Sequence, residues 1–268
     1  MRLTVVFMSL LAAACSTETF GGADGGPDAS EEGGSGGDSS VVDASIDVAS
    51  CAPTWCTTNP PPATSLCTDF DESTAIPTAW TQDVTNGGSV ELVSSPADQC
   101  LGVHSHLPTV TGTAGAARIS HAAPISLSTV HAALALDVYL PKTDAGGTVF
   151  YFAIRMNALS IGLVQRTDGS WWLQSTLGTN TLVSQLAQQG PVRGAFTHMV
   201  LDVMYQTSSV TATLSYHRAD DDSTDQINAN GSAVSVGSSV SFLVGTDATT
   251  QTANDLDAYY DDVVTMPQ

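Results

Sequence analysis

Three aspartates near the two ends of the folded region, Asp71, Asp261 and Asp262, carry the chemistry of a hard-cation site. They would meet if the first and last strands pair, and their carboxylate oxygens would suit a structural Ca2+, which also needs backbone carbonyls. A second acidic cluster, Asp220, Asp221, Asp222 and Asp225, lacks the alternation and glycine of an EF-hand loop and is expected at a solvated hairpin tip. His104-Ser105-His106 sets two imidazoles on one face of a strand. Two nitrogens begin a transition-metal site only if a third ligand lies near, and His121 is the candidate. Trp172, Tyr151 and Tyr205 are the aromatic rings proposed to stack on a sugar, with neighbouring polar groups fixing its orientation. Adjacent Trp171 and Trp172 must point to opposite faces of a strand, so one of them belongs to the core. Tyr259 and Tyr260 pose the same choice, and there burial beside the first strand is the expectation.

Signals for catalysis are thinner. Gly33 to Gly37 spells G-G-S-G-G and formally matches a nucleophile elbow, but that motif needs a strand before the serine and a helix after it, and both flanks here are low-complexity linker. Retaining glycosidases need two carboxyl groups about 5 Å apart across a cleft. From residue 67 onward the glutamates are Glu72 and Glu91, not at alternating spacing on one strand. No residue is assigned a catalytic role. A non-enzymatic binding module is the first reading, a polysaccharide-acting hydrolase or lyase the alternative, and a structural envelope protein a third.

The elements that position these residues read as strands. Leu134, Leu136, Val138 and Leu140 alternate with Ala135, Asp137 and Tyr139, as Met199, Leu201 and Val203 do with Val200, Asp202 and Met204. Further strands are expected at 149–156, 159–164, 171–175, 210–216, 240–244 and 259–266. Turn signals lie at Thr143 to Gly147, Thr167-Asp168-Gly169, Gln189-Gly190-Pro191 and Asn230-Gly231. Asp168-Gly169 suits a tight hairpin. No long amphipathic helix is visible. About a dozen short strands imply two stacked antiparallel sheets, an all-β sandwich of jelly-roll type.

Several segments carry a family resemblance: the opening Cys67-Thr68-Asp69-Phe70-Asp71, then Trp80, the Asp168-Gly169-Ser170-Trp171 hairpin, Phe196-Thr197-His198-Met199-Val200-Leu201-Asp202, and the closing Tyr259-Tyr260-Asp261-Asp262-Val263-Val264. Over residues 67–268 this order resembles the concanavalin A-like, laminin-G-like jelly-roll superfamily. The resemblance implies paired first and last strands, a calcium site in some members, and an extracellular carbohydrate-binding or adhesion role. Phe196 departs from it, because a Trp is frequent there.

Met1, Arg2 and the apolar run Leu3 to Leu11 form an export signal, too short for the about 20 apolar residues that span a bilayer. Ala13 and Ala14 directly before Cys15 resemble the lipobox of bacterial lipoproteins, which implies lipidation at Cys15, cleavage after residue 14 and a membrane partner reached through the lipid. Ser16 after that cysteine points, by the same resemblance, to the outer membrane or cell surface. Residues 15–50 are Gly-, Ser- and Asp-rich, with eight acidic and no basic residues between Ser16 and Ser50, and cannot build a core. Such a tether would reach roughly 30 Å. Residues 51–66 form a Cys- and Pro-rich lead-in, and 67–268 the sandwich. Cys51, Cys56, Cys67 and Cys100, an even number in an exported chain, read as two disulfides with three possible connectivities. The pairing expected here is Cys51 with Cys56 and Cys67 with Cys100. The 27 acidic against 7 basic residues, with no arginine cluster, exclude phosphate-backbone neutralisation and so nucleic acid as a partner. Glycan or a surface protein is the partner class left.

Overall fold

A computed structural model describes Cys56 and residues 65–267, apart from 72, 96–99, 113, 126–129, 142–145, 178–179, 187–189, 207–208, 219–220 and 233–236. Cys15, Cys51 and the tether lie outside the described residues. Among the described residues fifteen strands form two antiparallel sheets. The eight-stranded sheet contains β1 (Leu66–Thr68), β3 (Ser89–Ser94), β4 (Leu101–Leu107), β6 (Val130–Tyr139), β11 (Phe196–Gln206), β12 (Ser209–Arg218), β13 (Asp221–Ser232) and β15 (Leu256–Pro267). Its order is β13-β12-β11-β6-β15-β4-β3, with β1 also on β15. The seven-stranded sheet contains β2 (Thr81–Val84), β5 (Gly115–Pro124), β7 (Val149–Met156), β8 (Leu159–Gln165), β9 (Trp171–Leu177), β10 (Asn180–Gln185) and β14 (Ser239–Ala248), ordered β10-β9-β8-β7-β14-β5-β2. The fold is the expected sandwich of jelly-roll type.

Period-two patterning explains the layers. On β11 Met199, Leu201, Val203 and Tyr205 are buried, and on β6 their neighbours Leu134, Leu136 and Val138 are buried too. From the opposite sheet Phe152, Ile154, Leu163 and Phe242 complete one continuous core. Burying each such side chain contributes roughly 1.5–3 kcal/mol. Polar bridges cross between the sheets without leaving orphans: the Tyr260 hydroxyl donates to the Tyr151 carbonyl at 2.8 Å, and Ser105 Oγ donates to the Ala117 carbonyl at 2.5 Å while accepting from the Thr246 amide. Gly169, at φ +78°, turns the β8–β9 hairpin at the Asp168-Gly169 pair.

First and last strands do pair, Cys67 standing opposite Val264. On that edge β15 is shared: Leu256–Tyr260 pair with β4, and Val263–Thr265 with β1. The handover falls at Asp261-Asp262, where the pairing with β6 slips and Asp262 takes φ +48°. Aspartate tolerates that conformation better than most side chains.

Two expectations are corrected. Cys56 is bonded to Cys67, with Cα atoms 5.7 Å apart, and Cys100 belongs to a different disulfide, so neither Cys51–Cys56 nor Cys67–Cys100 forms. The bond ties Cys56 to β1 instead of to Cys51. Asn230-Gly231 is no turn, since both residues lie within β13 opposite Thr211 and Val210; of the acidic cluster, Asp221 begins β13 opposite Arg218 at the end of β12, Asp225 stands opposite Tyr216, and Asp220 lies outside the described residues.

Candidate functional site

The outer face of the seven-stranded sheet carries a cleft. Successive cross-strand partners Trp172, Val164, Phe150 and Asp247 run in one row over β9, β8, β7 and β14. Beside this row a hollow of about 140 Å3 has Phe150, Ala153, Leu243 and Gly245 as apolar lining and Arg118, Arg155, Ser160 and Asp247 as polar lining. At Gly162, one strand further on, a Cβ would stand 2.1 Å from the Phe152 carbonyl, so bare backbone is required there. Local alternation points the polar side chains outward, because Ile119 on β5 and Ile154 on β7 face the core.

Electrostatics distinguish the two ends of this face. Arg118 donates from Nε and Nη2 to Asp83 Oδ2 at 3.0 and 2.5 Å and from Nη1 to Asp247 Oδ2, an ion-pair fork between two strands. Arg155 donates to the Ser160 hydroxyl at 2.8 Å and makes no ion pair among the described residues. Burial, and then repulsion from Arg118, lower its pKa against the smaller opposing pull of Asp247 and Asp83. Burial raises the Asp247 carboxyl against the pull of the two arginines. At the other end the Arg166 guanidinium lies 4.0 Å from the Trp172 ring centre, a cation–π contact, and Trp172 Nε1 donates to Ser170 Oγ at 2.6 Å. The indole is half-buried and held at its edge. Three of the chain's seven basic residues therefore gather on one face of a protein with formal charge −20.

On the eight-stranded sheet the outer face differs. His104, Tyr259, Tyr139 and Phe196 are consecutive cross-strand partners on β4, β15, β6 and β11. His104 stacks on Tyr259 at 4.5 Å, and the next two contacts are edge-on at 5.7 Å. One row further along, the β15 handover brings carboxylates together. Burial, then Asp262, Asp71 and Asp69, push the Asp261 carboxyl up to about 8. Asp262 is pushed up to about 7 by burial, then by Asp137, Asp69 and Asp71, while His198 opposes the rise. Asp71 Oδ1 accepts the Leu101 amide at 2.6 Å, joining the end of β1 to the start of β4. His198 is itself raised by its hydrogen bond to Asp137, at 2.6 Å.

Against the sequence-based candidates, the structure brings Asp71, Asp261 and Asp262 into one electrostatic neighbourhood. It places Trp172 on an outer face and Trp171 in the core. Tyr151 and Tyr205 are corrections, since neither has a ring face to offer a ligand: they are 2 % and 0 % exposed. Tyr205 shares the parity of Met199, Leu201 and Val203. Tyr151 faces inward because a bulge between Phe150 and Phe152 resets the alternation, so that Val149 and Tyr151 point in before it and Phe152 and Ile154 after it. His121 lies on the other sheet, against Trp80 and Phe242, and is not the third ligand of the histidine pair. Glu72 lies outside the described residues, and Glu91 faces His104 across β3–β4. Sequence reasoning missed Asp83, Arg118, Arg155 and Asp247. The signal was available: in a chain with seven basic residues, Arg118 and Arg155 each interrupt an otherwise apolar strand on its polar phase.

The fold is that of a two-sheet jelly roll. Among solved structures the chain is similar to the cellulose-induced protein Cip1, with a TM-score of 0.51 and 14 % identity over 76 % of this chain and 96 % of that one. It is similar also to lectin UEA-II complexed with galactose (TM-score 0.46, 13 % identity, 76 % and 98 % covered) and to alginate lyase A1-II′, a member of polysaccharide lyase family 7 (0.44, 11 %, 66 % and 83 %). No protein-family model matches the sequence, and no curated protein matches it.

Proposed function

We propose that this chain is an exported envelope lipoprotein, anchored through Cys15, whose sandwich binds glycan on the outer face of the seven-stranded sheet without cleaving it. The observation that carries the reading is Arg155. A half-desolvated guanidinium hydrogen-bonded to a hydroxyl, with Asp247 and Asp83 near enough to act on it but in no ion-pair contact, over an apolar floor, is complementary to a saccharide bearing carboxylate or sulfate groups. Arg118 is already committed to Asp83 and Asp247 and positions the cleft wall. Trp172, braced by Arg166, supplies the flat ring for a neighbouring sugar, the role also first assigned to Tyr151 and Tyr205 and now left to Trp172 alone. A structural Ca2+ held by Asp71, Asp261 and Asp262 belongs to the same reading. The donor type fits, hard oxygens whose mutual repulsion a cation would relieve, but the three carboxylates do not all stand within 4.8 Å of one another, so the ion would have to draw them together.

A panel of neutral and acidic polysaccharides tests this with the full chain in calcium and in chelator. Binding to acidic members is expected, falling at least about tenfold in Arg155→Ala and in Trp172→Ala, and weakening with salt. Calcium should raise thermal stability in the wild type and leave the Asp261→Asn variant unmoved. Binding unchanged in both variants would refute the cleft as the site, and shortening of the polysaccharide would replace the binding role with the hydrolase or lyase alternative.

A further inference from the structure

We propose that His104, His106 and Asp257, on the outer face of the eight-stranded sheet, bind a divalent transition-metal ion of the Zn2+ class with at least one coordination position left for water or a ligand. The site lies on the opposite sheet from the glycan cleft and does not depend on it. His104 and His106 stand two residues apart on β4, with Val103, Ser105 and Leu107 turned into the core between and beside them. Asp257 is the direct cross-strand partner of His106 on β15. His104 Nε2 lies 2.8 Å from Asp257 Oδ1, and His106 Nδ1 lies 2.9 Å from the same oxygen. This is the one group of three or more His, Cys, Asp or Glu among the described residues whose donor atoms all lie within 4.8 Å of one another.

Two imidazole nitrogens and a carboxylate are donors suited to Zn2+ or Cu2+, and poor ones for Ca2+ or Mg2+. Tetrahedral coordination with arms of about 2.0–2.1 Å sets donors about 3.3 Å apart, so each nitrogen need only draw back from the shared Asp257 oxygen by a few tenths of an ångström to admit the ion. The surroundings favour that arrangement. With Nε2 of His104 on the metal, its Nδ1 faces Glu91 Oε1 at 3.7 Å, beyond hydrogen-bond length but close enough for this carboxylate to swing in and orient the ring. Tyr259 stacks flat on the same ring, at an interplanar angle of 8°, and fixes its plane. His104 is 15 % exposed, but His106 and Asp257 are about one-third exposed, which keeps the fourth position in reach of solvent. Asp257 also lines a polar depression of about 390 Å3 with Thr109, Arg193, Asn254 and Asp255, where a ligand of the metal would have room.

Equilibrium dialysis of the tag-free full chain against ZnCl2 tests the proposal, with Cu2+ electron paramagnetic resonance as a second readout. One equivalent should bind, resist competition by millimolar Ca2+, and show two nitrogen ligands in the Cu2+ spectrum. His106→Gln and Asp257→Asn, checked for unchanged circular dichroism, should each weaken binding by more than about tenfold, Glu91→Gln by about tenfold, and His131→Gln not at all. Absence of saturable binding, equal competition by Ca2+, or binding that survives both ligand substitutions would overturn it.

Discussion

Replacing Asp261 by Asn should stabilise the protein at alkaline pH and leave it little changed in acid. The Asp261 side chain is 8 % exposed and shares the β15 handover with Asp262, Asp71 and Asp69. Its carboxyl is pushed from 3.8 to about 8. Between those values the native state keeps a proton that the unfolded chain has lost, so stability falls as pH rises across the window. This contribution is complete below about pH 4 and gone above about pH 8. Four units at about 1.4 kcal/mol each give an upper bound near 6 kcal/mol. Asp262 titrates in the same range and supplies part of the same repulsion, so about half, roughly 3 kcal/mol, belongs to Asp261 itself. Asparagine keeps the shape and can still accept the Asp262 amide, which Asp261 Oδ1 holds at 2.9 Å. Urea unfolding followed by tryptophan fluorescence, in chelator so that the metal-free protein titrates, should show the variant more stable by about 3 kcal/mol at pH 8.5 and within about 1 kcal/mol at pH 4.5. Parallel pH profiles for the two proteins would refute the burial argument. A variant less stable at both values would show that the charge is needed for folding.

Arg118→Ala should destabilise by about 2–3 kcal/mol, since it leaves Asp247, raised by burial, without its closest cation; urea unfolding measures this, and a loss below about 0.5 kcal/mol would mean that the fork is a solvated surface pair. Cys15→Ser should move the chain from the membrane fraction to the soluble fraction and abolish fatty-acid labelling, and an unlipidated chain that stays membrane-bound would refute the anchor.

Patterning made the sandwich legible because its burial is one-sided. Strands such as β6 and β11 state their phase in every second residue, and the Asp168-Gly169 hairpin states its turn. What the sequence hid were departures from that phase. The bulge at Phe150–Phe152 put Tyr151 in the core when its parity with Ala153 and Arg155 placed it outside, whereas Tyr205 was readable from its own strand and was misassigned for its chemistry alone. The strands β2, β3, β5, β10 and β13 went unforeseen because they are short or carry few large apolar residues. Disulfide pairing was beyond reach for a different reason: four cysteines allow three connectivities, and only the path of the lead-in decides among them. The histidine pair was visible on β4, but its third ligand arrives from β15, about 150 residues away in sequence.

These same pairings explain how one domain can present two different chemistries. A sandwich buries the inner phase of every strand, so all its charge must appear on outer phases, sorted by which strands the topology makes neighbours. Here β5, β7 and β14 bring Arg118 and Arg155 together on one sheet, while β4, β6, β11 and β15 collect His104, His106, His198, Asp137, Asp257 and Asp261 on the other. Arg118 and Arg155 lie on different strands, as do the histidine pair and Asp257, so chain neighbours alone build neither group. The two proposed sites, one around Arg155 and one around Asp257, then follow from strand order, and a substitution at one should leave ligand binding at the other unchanged, because the apolar core between them transmits neither charge nor hydrogen bonds.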